Sequence, residues 1–273
     1  MPLVAAVSAP HAPQLLATPD TSNAEMIKAV HEAMGKCKEH LASLDVDTVV
    51  CIANDHVEGF FLDAVPAFAV YTGLECRGSF GPGRQYVYKV NTHLAEAILW
   101  KSLEDDFDLA YSQNLSMDYA FFIPLHFMHP STEIPIVPLF VNAYLPPQPT
   151  PRRCYAWGRE LARILAERPE RIALVASGGL SHYPGTVRYS NPDFSFDRWV
   201  LDVLEKGQGS ELAKLTSEDL DKAGNIELRP WITALGVVGD APAEVLTYQP
   251  EWHHGYGVIK WDVKQATDTK AYA

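Results

Sequence analysis

Three short segments each place a metal-ligand residue type at the end of an apolar run: Ser8-Ala9-Pro10-His11, Ala53-Asn54-Asp55-His56 and Gly224-Asn225-Ile226-Glu227. Two histidines and one carboxylate on one face of a metal leave several coordination positions open, the arrangement used by non-haem iron(II) in oxygen chemistry. The same donor set accepts zinc, which would activate water for hydrolysis instead. Each residue also has a plainer reading. A histidine at a strand end is more often hydrogen-bonded or at the surface than a ligand. A glutamate in the first turn of a helix is favoured there by the helix dipole. The constellation gains meaning only if the fold gathers the three turns in one place.

The elements between them suggest that it does. Leu3–Val7, Glu25–Ser43 and Thr48–Ala53 read as strand, helix and strand, the rhythm of a βαβ unit. In that helix Met26, Ala29, Val30, Ala33 and Cys37 recur at i, i+3, i+4 spacing, with Thr21 or Ser22 as the N-cap. Further strands are expected at Phe68–Tyr71, Ile134–Val141, Arg171–Ala176, Val245–Gln249 and Gly257–Trp261. Further helices are expected at Thr92–Leu103, Arg152–Glu167, Phe196–Lys206, Glu218–Ala223 and Glu227–Gly236. The expected fold is α/β: a single domain over residues 1–273, with a central, largely parallel or mixed sheet flanked by helices. Gly73–Tyr88 reads as a hairpin or as a loop over the site. The proline cluster Pro146–Pro151 reads as a stiff connection, either a seam between two halves or an internal loop.

In open α/β sheets ligands bind beyond the carboxyl ends of the strands. His11 follows the first strand, His56 the second, and His182 follows Arg171–Ala176 through Gly178-Gly179, so three histidines fall at one sheet edge. His31 and His40 are expected on a solvated helix face and His93 at a helix start. His126, His129 and the pair His253-His254 stay outside the core assignment.

Composition narrows the partners. With 273 residues, 47% of them hydrophobic, the chain can build a sizeable core. A formal charge of −12 argues against a nucleic-acid or membrane-surface footprint, since either needs clustered Lys and Arg. A small molecule is the expected partner. The four cysteines are scattered and lack CxxC spacing, so they read as reduced structural thiols of a cytoplasmic protein. Leu3–Val7 is too short for a signal peptide's apolar region, and no stretch approaches the ~20 apolar residues that span a bilayer.

With these residues in view, the chain resembles the type III extradiol ring-cleaving dioxygenases, the group of the protocatechuate 4,5-dioxygenase β subunit. The carriers are Pro10-His11-Ala12-Pro13, Asn54-Asp55-His56, Asp118-Tyr119-Ala120 with Pro124-Leu125, Gly178-Gly179-Leu180-Ser181-His182, and Gly224-Asn225-Ile226-Glu227-Leu228-Arg229-Pro230-Trp231. Their order and spacing, more than any one of them, make the likeness. The resemblance implies Fe(2+) held by His11, His56 and Glu227, and His182 as acid/base. It also implies dioxygen and an aromatic or heteroaromatic diol as substrates, in the catechol, gallate, aminophenol or hydroxypyridone class. Where the family usually carries Asp-His-Gly, this chain has Asp118-Tyr119-Ala120, so Tyr119 stands in for a second active-site histidine. A homo-oligomer, or a complex with a small helical subunit, is the expected assembly. Two other readings remain at this stage: a zinc-type metallohydrolase, and a catalytically silent ring-binding protein of the same fold. Adjacency makes Asp55 and Ser181 candidates for orienting their neighbouring histidines. Arg77, Arg84, Arg188 and Arg229 are candidates to meet a substrate carboxylate, and Tyr183, Phe121, Phe122 and Trp231 to stack on a ring.

Overall fold

The computed structural model describes residues 2–114, 116–251 and 253–263. The chain opens with β1 (Leu3–Ala9), α1 (Ala24–Ala42) and β2 (Thr48–Ala53), as the apolar rhythm implied. Asn23, rather than Thr21 or Ser22, caps α1, its side-chain oxygen accepting from the N–H groups of Glu25 and Met26. Next come β3 (Phe68–Tyr71) and a hairpin of β4 (Glu75–Phe80) and β5 (Arg84–Lys89). They are followed by α2 (Thr92–Glu104), β6 (Ala110–Ser112) and α3 (Tyr119–Met128). The second half runs β7 (Ile136–Val141), α4 (Pro151–Ala166), β8 (Ile172–Ser177) and α5 (Ser195–Glu205). It closes with α6 (Ser217–Ala223), α7 (Arg229–Val238), β9 (Ala243–Glu251) and β10 (His254–Trp261).

Eight strands form one mixed sheet in the order β6-β3-β7-β2-β8-β1-β10-β9. Its centre is parallel: β8 lies between β1 and β2 and pairs with both, and β7 extends the run beyond β2. The margins turn antiparallel, where β10 joins β1, β9 joins β10, and β3 joins β7. Every residue of β2, β7 and β8 is buried, so both faces of the sheet centre are covered and these strands read as unbroken apolar runs. Helices α1 and α3 pack together, as do α4 and α7. The second pair meets at Gly158 and Gly236, where a Cβ on either would run into the backbone carbonyl of Thr233 or of Tyr155.

Gly73–Tyr88 resolves into the β4–β5 hairpin, which packs on α3 instead of roofing the site: Tyr86 stacks on Phe122 at 4.4 Å. The proline cluster is an internal loop. It ends on Thr150, whose hydroxyl caps α4, with Pro151 opening the helix where its missing N–H costs nothing. The edge strand β6 and helix α3 were not foreseen. The first is only three residues long, and the second, with Pro124 inside it and seven of its ten residues buried, has no amphipathic period to read. Glu227 sits in a short 3-10 turn, Ile226–Leu228, just ahead of α7, and not in the helix itself. Among the described residues no helix is long and apolar enough to cross a membrane. All four cysteines are free and buried.

Candidate metal centre

In the sheet, Ala9 at the end of β1 lies opposite Ser177 at the end of β8, and Ile52 near the end of β2 opposite Ala176. The loops that leave these strands therefore start side by side. The first carries His11, the second His56, and the turn before α7 brings in Glu227. Each of the three offers one ligand atom, and those atoms lie within 4.8 Å of one another. His11 Nε2 is 3.3 Å from Glu227 Oε2, and His56 Nε2 is 3.0 Å from Glu227 Oε1.

Hydrogen bonds behind the rings decide which nitrogens face inward. Ser177 donates its hydroxyl to the Ala120 carbonyl at 2.5 Å and so accepts from His11 Nδ1 at 2.9 Å. His56 Nδ1–H donates to Asp118 Oδ1 at 3.0 Å. In both rings Nδ1 carries a proton, and Nε2 is aimed at the carboxylate. Asn54 donates to Glu227 Oε1 at 3.2 Å, fixing the third group. Burial alone would raise the Glu227 pKa, but the flanking histidines outweigh it and hold the carboxyl well below its ordinary range. Burial would likewise lower the His56 pKa, yet its bonds to Asp118 and Glu227 push it up to about 10. Two imidazole nitrogens and a carboxylate, pre-oriented and lined up on one point, suit a divalent metal with open positions.

Close packing holds the geometry. Gly178 leaves no room for a side chain, since a Cβ there would run into the Glu227 carbonyl. Gly224, at φ 66°, ends α6 in the left-handed region and presses on the Tyr183 ring, where a Cβ would come within 2.7 Å. The backbone N–H of His182 donates to the Gly224 carbonyl at 2.8 Å, tying the His182 loop to the Glu227 loop.

His182, Tyr119 and the three candidate ligands all line one pocket of about 180 Å³. Tyr119 lies flat on His56, with ring centroids 4.3 Å apart and 15° between planes. Burial, reinforced by Asp118 and Glu227, raises its phenol pKa further, so the hydroxyl stays protonated and keeps a proton to donate. His182 stacks on His254 at 4.0 Å, and burial lowers its pKa. His254 enters because β10 runs antiparallel to β1, which brings its first residue to the carboxyl edge.

Two guesses from adjacency fail. Asp55 accepts the N–H groups of Val57, Glu58, Gly59 and Phe60, not a histidine proton. Ser181 bonds to Asp197. The groups that orient the histidines are Asp118 and Ser177, distant in sequence. Asp118 was within sight, next to Tyr119, but nothing in a linear pattern pairs it with His56. Of the proposed ring-stacking residues, Phe121, Phe122 and Trp231 are core. His31, expected on a solvated face, bonds to the Leu15 carbonyl and stacks on Phe127.

The family model described as the catalytic LigB subunit of aromatic ring-opening dioxygenase matches residues 5–259. The chain is similar to a 2,3-dihydroxyphenylpropionate/2,3-dihydroxicinnamic acid 1,2-dioxygenase of Escherichia coli strain K12. The two are 25% identical over 288 residues, covering 86% of this chain and 91% of the relative. The enzyme of the same name from Escherichia coli strain SMS-3-5 aligns with the same identity and coverage. Among solved structures, the uncharacterized protein JW3007 from Escherichia coli K12 superposes with a TM-score of 0.62 at 17% identity, over 94% of this chain and 99% of the other. That last likeness concerns the fold.

Proposed function

The chain belongs to the family of catalytic LigB subunits of aromatic ring-opening dioxygenases, and from that premise we propose that it opens a diol-type aromatic or heteroaromatic ring at iron(II) held by His11, His56 and Glu227. The reaction is an extradiol cleavage inserting both atoms of dioxygen, with the described chain acting as one catalytic domain. The observation that supports this most directly is the pair of Nδ1–H bonds, His11 to Ser177 and His56 to Asp118, which turn both Nε2 atoms toward one carboxylate.

A metal bound by this triad would lower the pKa of a coordinated phenol and hold the ring and dioxygen together in open positions. The protein's own groups supply the rest. His182 takes up a ring hydroxyl proton and later returns it. Its Nδ1 is buried without a hydrogen-bond partner among the described residues, so the exchange runs through Nε2. Its lowered pKa leaves the imidazole neutral at rest, ready to act first as a base. Tyr119 donates a hydrogen bond from a phenol that does not ionise, a role for which its raised pKa suits it and which an imidazole would share with base chemistry. Stacking against Tyr119 also restricts rotation of the His56 ring.

The test is anaerobic reconstitution with iron(II), metal analysis, and an oxygen-uptake screen over catechols, gallates, aminophenols and hydroxypyridones. One iron bound per chain and oxygen consumed in proportion to ring lost are expected. A zinc hydrolase or a silent ring-binding protein would consume no oxygen with any of these rings.

A further inference from the structure

The four arginines that the sequence offers to a substrate carboxylate are engaged elsewhere. Arg77 pairs with Glu75, Arg84 donates to the Leu16 carbonyl, Arg188 lies over the Tyr183 ring, and Arg229 donates to the carbonyls of Pro149 and Ile226. Beyond the triad, the ionisable side chains that line the metal-site pocket among the described residues are Tyr119, Tyr189, His182 and His254. Two of these are imidazoles packed face to face, and the acid/base role of His182 uses only one of them.

A histidine that moves a proton is ordinarily held by a hydrogen bond to its other ring nitrogen. The two candidate ligands are held in that way, His11 Nδ1 by Ser177 and His56 Nδ1 by Asp118. His182 has no such bond, for its Nδ1 is buried without a partner among the described residues. Its backbone is fixed, since the His182 N–H donates to the Gly224 carbonyl at 2.8 Å, but a fixed backbone leaves the ring its side-chain torsions. What opposes that rotation is His254, whose ring centroid lies 4.0 Å away with 18° between planes. The ring of Tyr189 stands farther off, at 6.2 Å and tilted by 60°, and comes from the exposed run 185–191.

His254 is itself firmly placed. It opens β10 opposite Glu251 of β9, and its ring also stacks on the buried Tyr256 at 5.4 Å and 14°. Gly255, the next residue, donates its N–H to the Ser181 carbonyl at 2.9 Å and accepts the Leu180 N–H at 3.3 Å. The backbone just before His182 and the backbone just after His254 are therefore bonded to each other, which sets the two rings side by side. Burial, reinforced by His182 and His253, holds the His254 pKa well below its ordinary range. Its ring thus presents an uncharged face to a protonated His182, where two charged rings would repel.

We propose that His254 is a positioning residue for His182: its ring, set in place by the bonds of Gly255 to Leu180 and Ser181, holds the His182 imidazole in one plane with Nε2 turned to the pocket. The effect on catalysis rests on the dioxygenase reading above, whereas the restraint of the ring does not.

Two substitutions separate the flat face of His254 from its nitrogens. His254→Leu keeps bulk and removes the face, and His254→Phe keeps the face and removes the nitrogens. In the full metal-free chain, NMR relaxation of the labelled His182 ring, assigned through His182→Gln, should give an order parameter near ~0.85 in wild type and His254→Phe, and below about 0.6 in His254→Leu. In the iron(II)-loaded chain, oxygen uptake is followed with catechol, pyrogallol and 2-aminophenol. His254→Leu should lower kcat ~10–100-fold, with KM and iron affinity by anaerobic chelator competition close to wild type. His254→Phe should recover most of that loss. A His182 ring as ordered in His254→Leu as in wild type, or an undiminished kcat in that variant, would overturn the proposal. So would a His254→Phe chain as slow as His254→Leu, because the nitrogens would then be what His182 needs. If urea unfolding shows that His254→Leu does not fold, His254→Phe decides alone: a wild-type-like kcat and ring order support the proposal, and loss of either overturns it. No oxygen uptake by the wild-type chain with these rings or those screened above would take down the dioxygenase reading, and the order parameters would still decide whether His254 holds His182.

Discussion

Replacing Asp118 by Asn probes how the metal centre is built, because the change is nearly isosteric and the carboxylate is 0% exposed. Asp118 accepts three N–H groups: the His56 ring at 3.0 Å and the Ala120 backbone at 2.7 Å on Oδ1, and the His56 backbone at 2.9 Å on Oδ2. An asparagine has one oxygen to offer. If that oxygen takes the Oδ1 place, the ring bond and the cap of α3 survive, but the NH2 group faces the His56 N–H, donor against donor. If it takes the other place, the ring bond and the cap are lost. Either way at least one buried donor goes unsatisfied, costing about 1–3 kcal/mol of stability. The ring also loses a charged acceptor, and outer hydrogen-bond partners of ligating histidines are worth ~10–100-fold in metal affinity. The expected result is therefore a dissociation constant ~10–100-fold weaker, or about 1.4–2.8 kcal/mol, read by anaerobic chelator competition. Urea unfolding of the metal-free chain measures the stability loss separately. Ser177→Ala is the matching change behind His11 and should weaken the metal without touching Asp118. Metal affinity within twofold of wild type in a folded Asp118→Asn chain would refute the claim that this bond orients a ligand.

Other outcomes follow from the same geometry. His56, raised to about 10 in the metal-free chain, carries at neutral pH a proton that a metal must displace. Loading at pH 7 should thus release about one proton, and affinity should rise with pH until about 10; calorimetry in buffers of different ionisation enthalpy reads the count. His182→Ala should keep the metal and lose ~10²–10⁴-fold in kcat, and a variant that loses both would place His182 among the ligands instead. Gly236→Ala puts a methyl against the Tyr155 carbonyl where α4 meets α7 and should cost about 1–3 kcal/mol in urea unfolding, with metal stoichiometry unchanged. Burial pushes the thiols of Cys37, Cys76 and Cys154 up to about 12. A thiol reagent at pH 8 should therefore leave the native chain unlabelled and react once urea unfolds it.

The strand ends were the legible part of this chain. A parallel strand buried on both faces leaves an apolar run such as Thr48–Ala53, and a run that stops at a polar turn announces where the carboxyl edge lies; His11, His56 and His182 could be placed from that alone. Glu227 could not. Its turn follows a short helix, and only the family likeness joined it to residues some 170 to 220 positions earlier. Helix α3 was hidden because its run of six consecutive buried residues, Ala120–Leu125, erases periodicity, and β6 because three residues carry too little pattern. His254 reached the site through the antiparallel pairing of β10 with β1, and strand direction at a sheet margin is not written in either strand's composition.

The loops themselves are held by a device that no periodicity records. A loop at a sheet edge carries backbone N–H groups without ladder partners, and buried ones must find acceptors. Here three aspartates supply them. Asp55 gathers four successive N–H groups just past His56, stabilising a turn in which the β-branched Val57 stands at φ 67°, a conformation such residues rarely adopt. Asp118 takes the His56 backbone and ring together. Asp197, from α5, accepts the Ser181 N–H at 2.9 Å and its hydroxyl at 2.6 Å, the Asn225 amide at 3.1 Å, and the Tyr248 hydroxyl at 2.8 Å. It also fills the space where Gly255 would carry a Cβ. One carboxylate thus fixes the residue before His182, the residue two before Glu227, and the residue after His254. His11, His56 and His182 sit beyond strand ends, where an apolar run points to them. The loops that carry them are tied by single aspartates, each 7% exposed or less, and only the closed fold reveals which loops each one joins.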